Sequence, residues 1–299
     1  YRSLKKVISD EKPDLVFSYT IKPVIYGSMA ARRAGIKNIY PMVTGLGRVY
    51  TSRSLKARAL KIITGLLYKS AFKGCSKIIF QNSDDLQEFV QLGYLPKDKA
   101  RIVNGSGVNR QKFSFKELPR EPVFLMIARI IREKGVLEFA EAARLVKKDH
   151  PEARFILLGG FDNSMGAIGP RHLEPYITDG SIEFPGEVND VIPYLEKARF
   201  FVLPTYYGEG LPRTILEAMS MGRPIITTNW PGCRDAVQDG VNGLLVEPRD
   251  SIELANAMKY LIRHPEVVNK MSDNCLRICN EKYDVRVVNN AMIKIMGIK

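Results

Sequence analysis

Short apolar segments rich in β-branched and aromatic residues alternate with longer segments of helical periodicity along almost the whole chain. In the first part of the chain the apolar segments lie at 15–19, 39–43, 77–80 and 101–103. In the second part they lie at 123–128, 154–159, 182–184, 200–203, 224–227 and 243–246. Because parallel strands must be joined by a crossover, usually a helix, this alternation predicts an α/β fold with parallel sheets covered by helices.

The length of 299 residues is enough for two domains of ordinary size. The alternation lapses in the stretch FSFKELPREP at 113–122, where two prolines and a cluster of charges separate the periodic segments. We therefore predict a first domain at 1–118, a second at 119–282, and a C-terminal helix in 283–299, whose return to the first domain is left open. The first domain has only four recognisable strands, so its opening βαβ segment is expected to be missing.

The net charge of +13 is concentrated in the first domain. Residues 1–118 carry 22 Lys+Arg and 8 Asp+Glu, a net charge of +14, whereas residues 119–299 carry 23 and 24, a net charge of −1. A basic domain favours an anionic partner, which could be nucleic acid, a lipid surface or a phosphorylated ligand. Nucleic acid is the least favoured of these, because the chain has no recognisable reading helix or aromatic-basic motif.

Two further features limit where such a protein works. No apolar run approaches the roughly 18 to 20 residues that a spanning helix needs, so we expect no integral membrane segment. Four cysteines in a chain of this length build no disulfide framework, which favours a reducing compartment.

Ligands of open parallel sheets bind beyond the carboxyl ends of the strands, so the loops that follow strands are the candidate sites. The loop 128–135 contains Arg129 and Lys134 next to the start of a helix. A guanidinium and an ammonium at this point could neutralise a diphosphate, with help from the helix N-terminus. The alternative is a pair of ordinary surface cations.

The loop 204–222 is the second candidate. Gly208 and Gly210 would let backbone N–H groups approach a ligand, and the first helical turn would begin near Pro212. Glu209 and Glu217 are eight residues apart, which is about 12 Å if helical rise applies throughout. At that separation they could accept hydrogen bonds from hydroxyls at opposite ends of an extended ligand. Either glutamate alone could instead be a surface residue that complements the helix dipole.

The motifs around these residues resemble those of a known enzyme family. Arg129 with Lys134-Gly135, then PGEVNDV at 185–191, EGLPRTILEA at 209–218, Pro231-Gly232 and DGVNGLLV at 239–246, resemble the nucleotide-sugar-binding half of glycosyltransferase family 4. The first domain, with KPDLVFSYTIKPVIYGSMAARRAG at 12–35 and VTGLG at 43–47, is similar to the bacterial branch that builds undecaprenyl-diphosphate-linked oligosaccharides.

This resemblance implies a GT-B fold, with two Rossmann-like domains facing across a cleft. It implies that Arg129 and Lys134 hold the UDP diphosphate and that Glu209 binds hydroxyls of the transferred sugar, and these three are the expected catalytic residues. The other donor-binding residues that it implies are Glu217 for the ribose, Glu187 and Val188 for the base, and Gly210, Leu211, Pro212 and Arg213. Acceptor or cleft residues are expected at Lys22, Thr44, Gly45 and Gly47.

The chain departs from the family at one position. Many members carry a histidine in the loop that corresponds to VTGLG, and this chain has Thr44 there, with no histidine before His150. A mechanism that needs an imidazole in the first domain is therefore not expected.

The segment from Ser54 to Lys73 is basic and amphipathic. Its apolar residues Leu55, Ile62, Ile63, Leu66, Leu67 and Phe72 can share one broad side, with Arg58, Lys61, Lys69 and Lys73 outside it. Such a helix could lie in an anionic lipid interface, or it could pack on a core with a solvated basic side. A lipid-linked acceptor favours membrane contact.

Taken together, the resemblance implies a retaining, metal-independent glycosyltransferase that moves a hexose or N-acetylhexosamine from a UDP-sugar to a polyprenyl-diphosphate-linked acceptor. We expect no cofactor and no metal site; Cys275 and Cys279, four residues apart on a helix, are expected to be buried thiols. The enzyme is expected in the cytoplasm, peripheral on the inner face of the cell membrane. The alternatives are a UDP-sugar 2-epimerase of the same fold and a truncated, non-catalytic nucleotide-binding relative.

Overall fold

The computed structural model of the protein describes residues 1–47, 50, 55–162 and 167–298. Contacts divide the chain into two compact units, each of which is described separately below. The first contains Tyr1–Gly107, Gly208–Leu211 and the chain from Arg286 onward, and the second contains Val108–Tyr207 and Pro212–Val285. In the part of the chain that the structure describes, no helix has both the length and the apolar character needed to cross a bilayer.

The first unit contains a parallel sheet whose strands follow the chain order. They are β1 (Leu15–Tyr19), β2 (Asn38–Val43), β3 (Ile78–Phe80) and β4 (Ala100–Ile102). The helices are α1 (Arg2–Glu11), α2 (Ser28–Arg33), α3 (Leu55–Phe72) and α4 (Ser83–Gln91), and a π-helical turn at Pro23–Gly27 precedes α2. These strands were predicted to within two residues, because short buried runs of β-branched and aromatic residues cannot satisfy helical periodicity.

Helix α4 is capped at its start by a buried polar residue. The N-cap is Asn82, whose Oδ1 accepts from the Asp85 N–H at 2.8 Å. Asn82 is completely buried, so its short amide side chain also meets partners outside the helix.

The second unit contains six parallel strands. They are β5 (Val123–Ile127), β6 (Arg154–Leu158), β7 (Glu183–Gly186), β8 (Phe200–Leu203), β9 (Ile225–Thr228) and β10 (Gly243–Val246). The helices between and after them are α5 (Val136–Lys147), α6 (Glu174–Thr178), α7 (Ile192–Lys197), α8 (Arg213–Ser220), α9 (Cys233–Ala236), α10 (Ser251–Arg263) and α11 (Pro265–Ile278). Most of α11 was not predicted, because the sequence has no strand after it to mark a βα unit.

The order of these strands fixes where a ligand can bind. Their spatial order is β10-β9-β8-β5-β6-β7, so the chain moves outward in one direction from β5 and in the other direction from β8. The loops that follow β5 and β8 therefore diverge at the switch point, which is where doubly wound sheets open a crevice. These are the same two loops that contain Arg129, Lys134 and Glu209.

The end of the chain belongs to the first unit. The last helix, α12 (Val285–Met296), contributes Met292 and Ile295 to an apolar cluster with Met42, Ile79 and Val103 of the first sheet. The contacts therefore group residues from Arg286 onward with the first unit. The chain segments that enter and leave the second unit pair with each other, because the Val108 N–H donates to the Tyr283 carbonyl at 2.8 Å.

The stretch that the sequence suggests as a domain boundary is part of the second unit. Arg223 is completely buried and donates from its guanidinium to the carbonyls of Lys116 and Glu117, at 2.8 and 3.1 Å. The Ser220 hydroxyl donates to the carbonyl of Phe113. Burial lowers the pKa of Arg223 to about 10. The contacts place the division at Gly107–Val108, ahead of the predicted position at Leu118.

We expect Arg223→Ala to lower the free energy of unfolding by about 3 kcal/mol, because it leaves a cavity and two backbone carbonyls without their donor. Urea denaturation measures the loss. Arg154→Ala is the matched control, since Arg154 forms an exposed ion pair with Glu183 and its removal should cost less than about 1 kcal/mol. Equal losses in the two variants would contradict a structural role for the buried guanidinium.

Candidate functional site

In the second unit the loops after β5 and β8 are hydrogen-bonded to each other. The carbonyl of Glu133 accepts from the Tyr206 N–H at 2.8 Å and from the Thr205 hydroxyl at 3.1 Å. Gly135 has a φ of 76°, and a Cβ there would lie 2.1 Å from the carbonyl oxygen of Pro204. A side chain at residue 135 would force the two loops apart, which explains the glycine after Lys134.

This loop arrangement brings Arg129 and Lys134 to the same aromatic ring. The Arg129 guanidinium lies 5.7 Å and the Lys134 ammonium 5.6 Å from the centroid of the Tyr207 ring. Both distances are within the range in which a cation is attracted to a ring face. The two predicted cations therefore converge at the carboxyl ends of β5 and β8.

Two neighbouring residues of this cation site were not singled out in the sequence. The Arg129 guanidinium donates to the Asp162 carboxylate at 2.8 Å, with about half of the arginine side chain exposed. Tyr207 was missed because aromatic residues beside a glycine-rich loop are common. The position of the tyrosine in the loop after β8, immediately before Gly208, was the available signal. An anion bound by Arg129 would compete with Asp162 for the guanidinium.

The helix after β8 presents a buried carboxylate. Glu217 is 9% exposed, and its Oε1 accepts from the Arg213 Nε at 3.0 Å. Burial raises the pKa of the Glu217 carboxyl. The positive charges of Arg213 and Lys112 offset only part of this rise. The expected 12 Å between the two glutamates assumed a continuous helix. However, α8 begins at Arg213 after an extended Pro212, so helical rise applies only to the last four residues of that interval.

The expected base-binding residues follow β7. Glu187 is exposed and Val188 is half-buried. Gly159 and Gly160, after β6, allow close backbone approach there: a Cβ on Gly159 would lie 1.8 Å from the Ala128 carbonyl oxygen, and one on Gly160 would lie 2.7 Å from Glu187 Oε2. Two successive residues after β6 thus carry no side chain, and the second of them lies next to the Glu187 carboxylate.

Within the first unit, Thr44, Gly45 and Gly47 contact the segment Gly208–Leu211 through the backbone. The Gly210 N–H donates to the Thr44 carbonyl at 2.9 Å, and the Gly47 N–H donates to the Gly208 carbonyl at 2.7 Å. A Cβ on Gly45 would lie 2.6 to 2.7 Å from backbone atoms of Glu209 and Gly210. The Gly210 N–H, which was expected near a ligand, is therefore paired with Thr44.

Asn82 extends this contact and was not predicted. Its Nδ2 donates to the carbonyl of Gly210 at 3.0 Å and to the Asp85 carboxylate at 2.9 Å. The side chain of Gln81 lies beside Gly210 as well. The signal for both residues was their place in the loop after β3. Lys22 is exposed at the start of the π-helical turn, and in the described residues no hydrogen bond or ion pair joins it to Thr44, Gly45 or Gly47.

Helix α3 does not have the single apolar side that was expected. Tyr68, Ala71 and Phe72 are buried in the core of the first unit, whereas Ile62 and Leu66 are 65% and 64% exposed. Ile63 is also exposed, and Leu67 is half-buried. The apolar residues therefore form two faces, one toward the core and one outward. Ser54 and the side chain of Leu55 lie outside the described residues.

The basic residues of α3 also differ among themselves. Arg58, Lys69 and Lys73 are exposed, so they border the outward apolar face. Lys61 is half-buried and forms an ion pair with Glu88, and its ammonium lies 4.8 Å from the centroid of the Tyr50 ring. Lys61 is thus a structural residue in this unit.

The described residues include no group of three or more histidine, cysteine or acidic side chains placed to hold a metal ion. Cys275 and Cys279 are both buried, and the Cys275 thiol donates to the carbonyls of Asn242 and Arg223 at 3.1 and 3.3 Å. Burial raises the pKa of both thiols. These two cysteines are therefore packed side chains, as expected, and independence from metal stays a prediction.

We expect Gly45→Ala to lower the free energy of unfolding by about 3 kcal/mol, because a Cβ at residue 45 overlaps the backbone of the segment Gly208–Leu211. Gly35→Ala is the control: Gly35 also has a positive φ, of 83°, but a Cβ there meets nothing within 4 Å. The control should cost only about 1 kcal/mol of backbone strain. Urea denaturation of the two variants compares them, and an equal loss would show that the close backbone contact contributes nothing.

Glu217→Gln is expected to raise the Tm at neutral pH. A carboxyl whose pKa is raised by folding stabilises the folded state only while it is protonated, and this contribution is lost as the pH rises through the folded pKa. The Tm difference between the variant and the wild type should therefore grow from acid to neutral pH. A difference that stays constant with pH would show that the charge of Glu217 is not the cause.

Two family models match the chain. The model described as glycosyl transferases group 1 matches residues 121–264, and the model described as glycosyl transferase 4-like matches residues 1–82. These two ranges contain the motifs on which the resemblance to family 4 rests.

Curated relatives match along most of their own length. The N,N'-diacetylbacillosaminyl-diphospho-undecaprenol alpha-1,3-N-acetylgalactosaminyltransferase of Campylobacter jejuni is 28% identical, over 98% of this chain and 79% of the relative. The UDP-Gal:alpha-D-GlcNAc-diphosphoundecaprenol alpha-1,3-galactosyltransferase of Escherichia coli is 30% identical, over 91% of this chain and 72% of the relative.

Solved structures share the fold. Anabaena Alr3699/HepE in complex with UDP-glucose matches with a TM-score of 0.82 at 19% identity, over 99% of this chain and 81% of that one. The sucrose-phosphate synthase of Thermosynechococcus elongatus matches with a TM-score of 0.81 at 21% identity, over 98% and 75%. The two parallel sheets and these neighbours confirm the predicted GT-B fold. The chain therefore belongs to the group 1 glycosyltransferases, the family that its motifs indicated.

Proposed function

We propose that this protein transfers a hexose or N-acetylhexosamine from a UDP-sugar to an undecaprenyl-diphosphate-linked sugar during bacterial glycan assembly. The observation that carries the proposal is the convergence of Arg129 and Lys134 on the Tyr207 ring, at the switch point of the second sheet. The names of the two curated relatives support the substrate classes, because both act on sugars linked to diphospho-undecaprenol. The UDP complexes of HepE support a uridine diphosphate donor.

In this proposal the two cations bind the diphosphate of the donor. Negative charge grows on the diphosphate as the bond to the sugar breaks, and Arg129 and Lys134 stabilise it. Fixed cations of this kind typically lower a barrier by several kcal/mol. A bound diphosphate would replace Asp162 as a partner of the Arg129 guanidinium.

The remaining donor contacts are assigned by chemistry. Glu217, a buried hydrogen-bond acceptor, binds the ribose hydroxyls, and Glu209 binds hydroxyls of the transferred sugar. Glu187 and Val188 lie against the base, beside Gly159 and Gly160. Because the Gly210 N–H is paired with Thr44, the backbone at Leu211 is the donor proposed for the ligand, with Pro212 and Arg213 next to it.

We propose retention of configuration and independence from metal and cofactor. Arg129 and Lys134 supply the charge stabilisation that a divalent cation supplies at other phosphate sites. Residues 1–149 contain no histidine, so the proposal does not rely on an imidazole within these residues to take the acceptor proton. The departing phosphate oxygen is the base proposed for that proton, with the acceptor attacking on the same face.

The first unit is proposed to bind the acceptor, with Thr44, Gly45, Gly47 and Lys22 near it. Its outward α3 face combines exposed Ile62, Ile63 and Leu66 with Arg58, Lys69 and Lys73, a composition typical of helices that lie in an anionic lipid interface. We propose that this face contacts the membrane and that the enzyme works on its cytoplasmic side, where the acceptor lipid is anchored.

Isothermal titration with UDP tests the donor site. We expect the wild type to bind UDP, and Arg129→Met and Lys134→Met each to weaken binding at least about tenfold, because each removes a charged hydrogen-bond donor. Arg154→Met is the control of equal charge change, since Arg154 lies at the amino end of β6 and pairs with Glu183. A folded wild-type protein that fails to bind UDP would contradict the proposal.

Product analysis separates the proposed reaction from its alternatives. Incubation with a panel of UDP-sugars and a lipid-linked acceptor, followed by mass spectrometry and NMR of the product anomer, should give a glycosylated lipid with retained configuration. Formation of a 2-epimer without acceptor would favour an epimerase instead. Binding of UDP with no turnover of any sugar would favour a non-catalytic relative.

A further inference from the structure

A cavity of about 340 Å³ opens in the first unit where the end of α3 meets the segment that leads into β4. It is lined by Lys69, Phe72, Lys73, Gly93, Tyr94, Leu95, Pro96 and Lys99. None of these lining residues carries a carboxylate. Three of the eight are lysines, so the cavity is strongly basic, and its floor is aromatic and apolar.

The three lysines come from two separate segments. Lys69 and Lys73 are four residues apart at the end of α3, so both point to the same side of that helix. Lys99 is half-buried on the opposite segment, and its ammonium donates to the Cys75 carbonyl at 3.1 Å. The C-terminal end of α3 contributes roughly half a negative charge, which the three ammonium groups exceed. The cavity is therefore suited to an anionic group.

The cavity is continuous with the outward face of α3. Ile62, Leu66, Lys69 and Lys73 are spaced by four, three and four residues, a spacing that places them in one narrow stripe along the helix. Exposed apolar side chains thus lead directly to two of the cavity lysines. This arrangement along one surface is complementary to an amphiphile whose apolar part lies over Ile62 and Leu66 and whose anionic part lies at the lysines.

The position of the cavity separates it from the site of sugar transfer. Helix α3 follows the carboxyl end of β2, runs the length of the sheet and ends before β3 begins, so Lys69 and Lys73 lie toward the amino ends of the strands. The segment with Lys99 also precedes its strand, β4. Thr44 and Gly45 lie at the opposite, carboxyl ends. An acceptor diphosphate held near Thr44 would therefore not be the anion in this cavity.

We propose that the cavity binds the phosphate headgroup of an anionic bilayer phospholipid, whose acyl chains lie beside Ile62 and Leu66. This inference rests on the proposed function, since it assigns a lipid partner to the same membrane-facing helix. The headgroup would fix one end of α3 at the membrane surface, and the apolar stripe would fix the remainder in the interface. The protein would thereby be held in one orientation relative to its lipid-linked acceptor.

The test is flotation of the protein with vesicles of phosphatidylcholine alone, or of equal parts phosphatidylcholine and phosphatidylglycerol. We expect the wild type to bind the mixed vesicles and to be released by salt. Lys73→Met and Lys99→Met should each weaken this binding about tenfold. Lys97→Met is the matched control, because it makes the same charge change two residues from Lys99, on an exposed side chain outside the cavity, and it should weaken binding less than about threefold.

A further variant and a second measurement separate the possible failures. Ile63→Asn removes an apolar residue from the outward face without touching the cavity, and it should weaken binding to the mixed vesicles. UDP titration and the Tm of each variant show whether it is folded with an intact donor site. If Ile63→Asn weakens binding while Lys73→Met and Lys99→Met match the Lys97 control, the proposal that the cavity binds a headgroup is wrong, and the proposal that α3 contacts the membrane stands. If the folded, UDP-binding wild type floats with neither kind of vesicle, both proposals are wrong.

Discussion

The close backbone contact between residues 44–47 and the segment Gly208–Leu211 is the constraint on which the first unit's candidate site depends. A side chain does not fit at residues 45, 208 and 210, because a Cβ on each would lie between 2.6 and 2.9 Å from a backbone atom across the contact. The hydrogen bonds from the Gly47 N–H to the Gly208 carbonyl and from the Gly210 N–H to the Thr44 carbonyl then fix the backbone on either side of Glu209. The backbone that carries Glu209, the carboxylate proposed to bind the sugar, is thus positioned through the glycines on both sides of it.

In the second unit, the order of the strands positions the candidate site residues. Parallel strands bring all their carboxyl ends to one edge, and the reversal of strand order at β5 and β8 separates two loops at a single point. Hydrogen bonds from Thr205 and Tyr206 to Glu133 then tie these loops together. Arg129 and Lys134 both lie near the Tyr207 ring as a consequence, although they are five positions apart in the chain. The two cations proposed to bind the diphosphate are therefore both positioned by these two loops.

The sequence was sufficient for the features that are set locally. Buried strands and the cations Arg129 and Lys134 could be predicted because β-branched runs and loop positions are local properties. The loop positions of Tyr207 and Asn82 could be read from the sequence, but their contacts could not, since these involve residues far along the chain. Periodicity showed that α3 is amphipathic but not which apolar side faces the core, and only packing around Tyr68 and Phe72 decides that. The estimate of about 12 Å between Glu209 and Glu217 assumed helical rise throughout, whereas the helix begins only at Arg213.

The guanidinium of Arg223 has a practical consequence for work on the second unit by itself. A polypeptide started at residue 119, where composition alone would place the cut, lacks the carbonyls of Lys116 and Glu117 that accept its two hydrogen bonds. It would retain a positive charge inside an apolar interior with no acceptor, so its stability would misrepresent that of the intact chain. A polypeptide that begins at Val108 keeps both carbonyls, together with the pairing of Val108 and Tyr283.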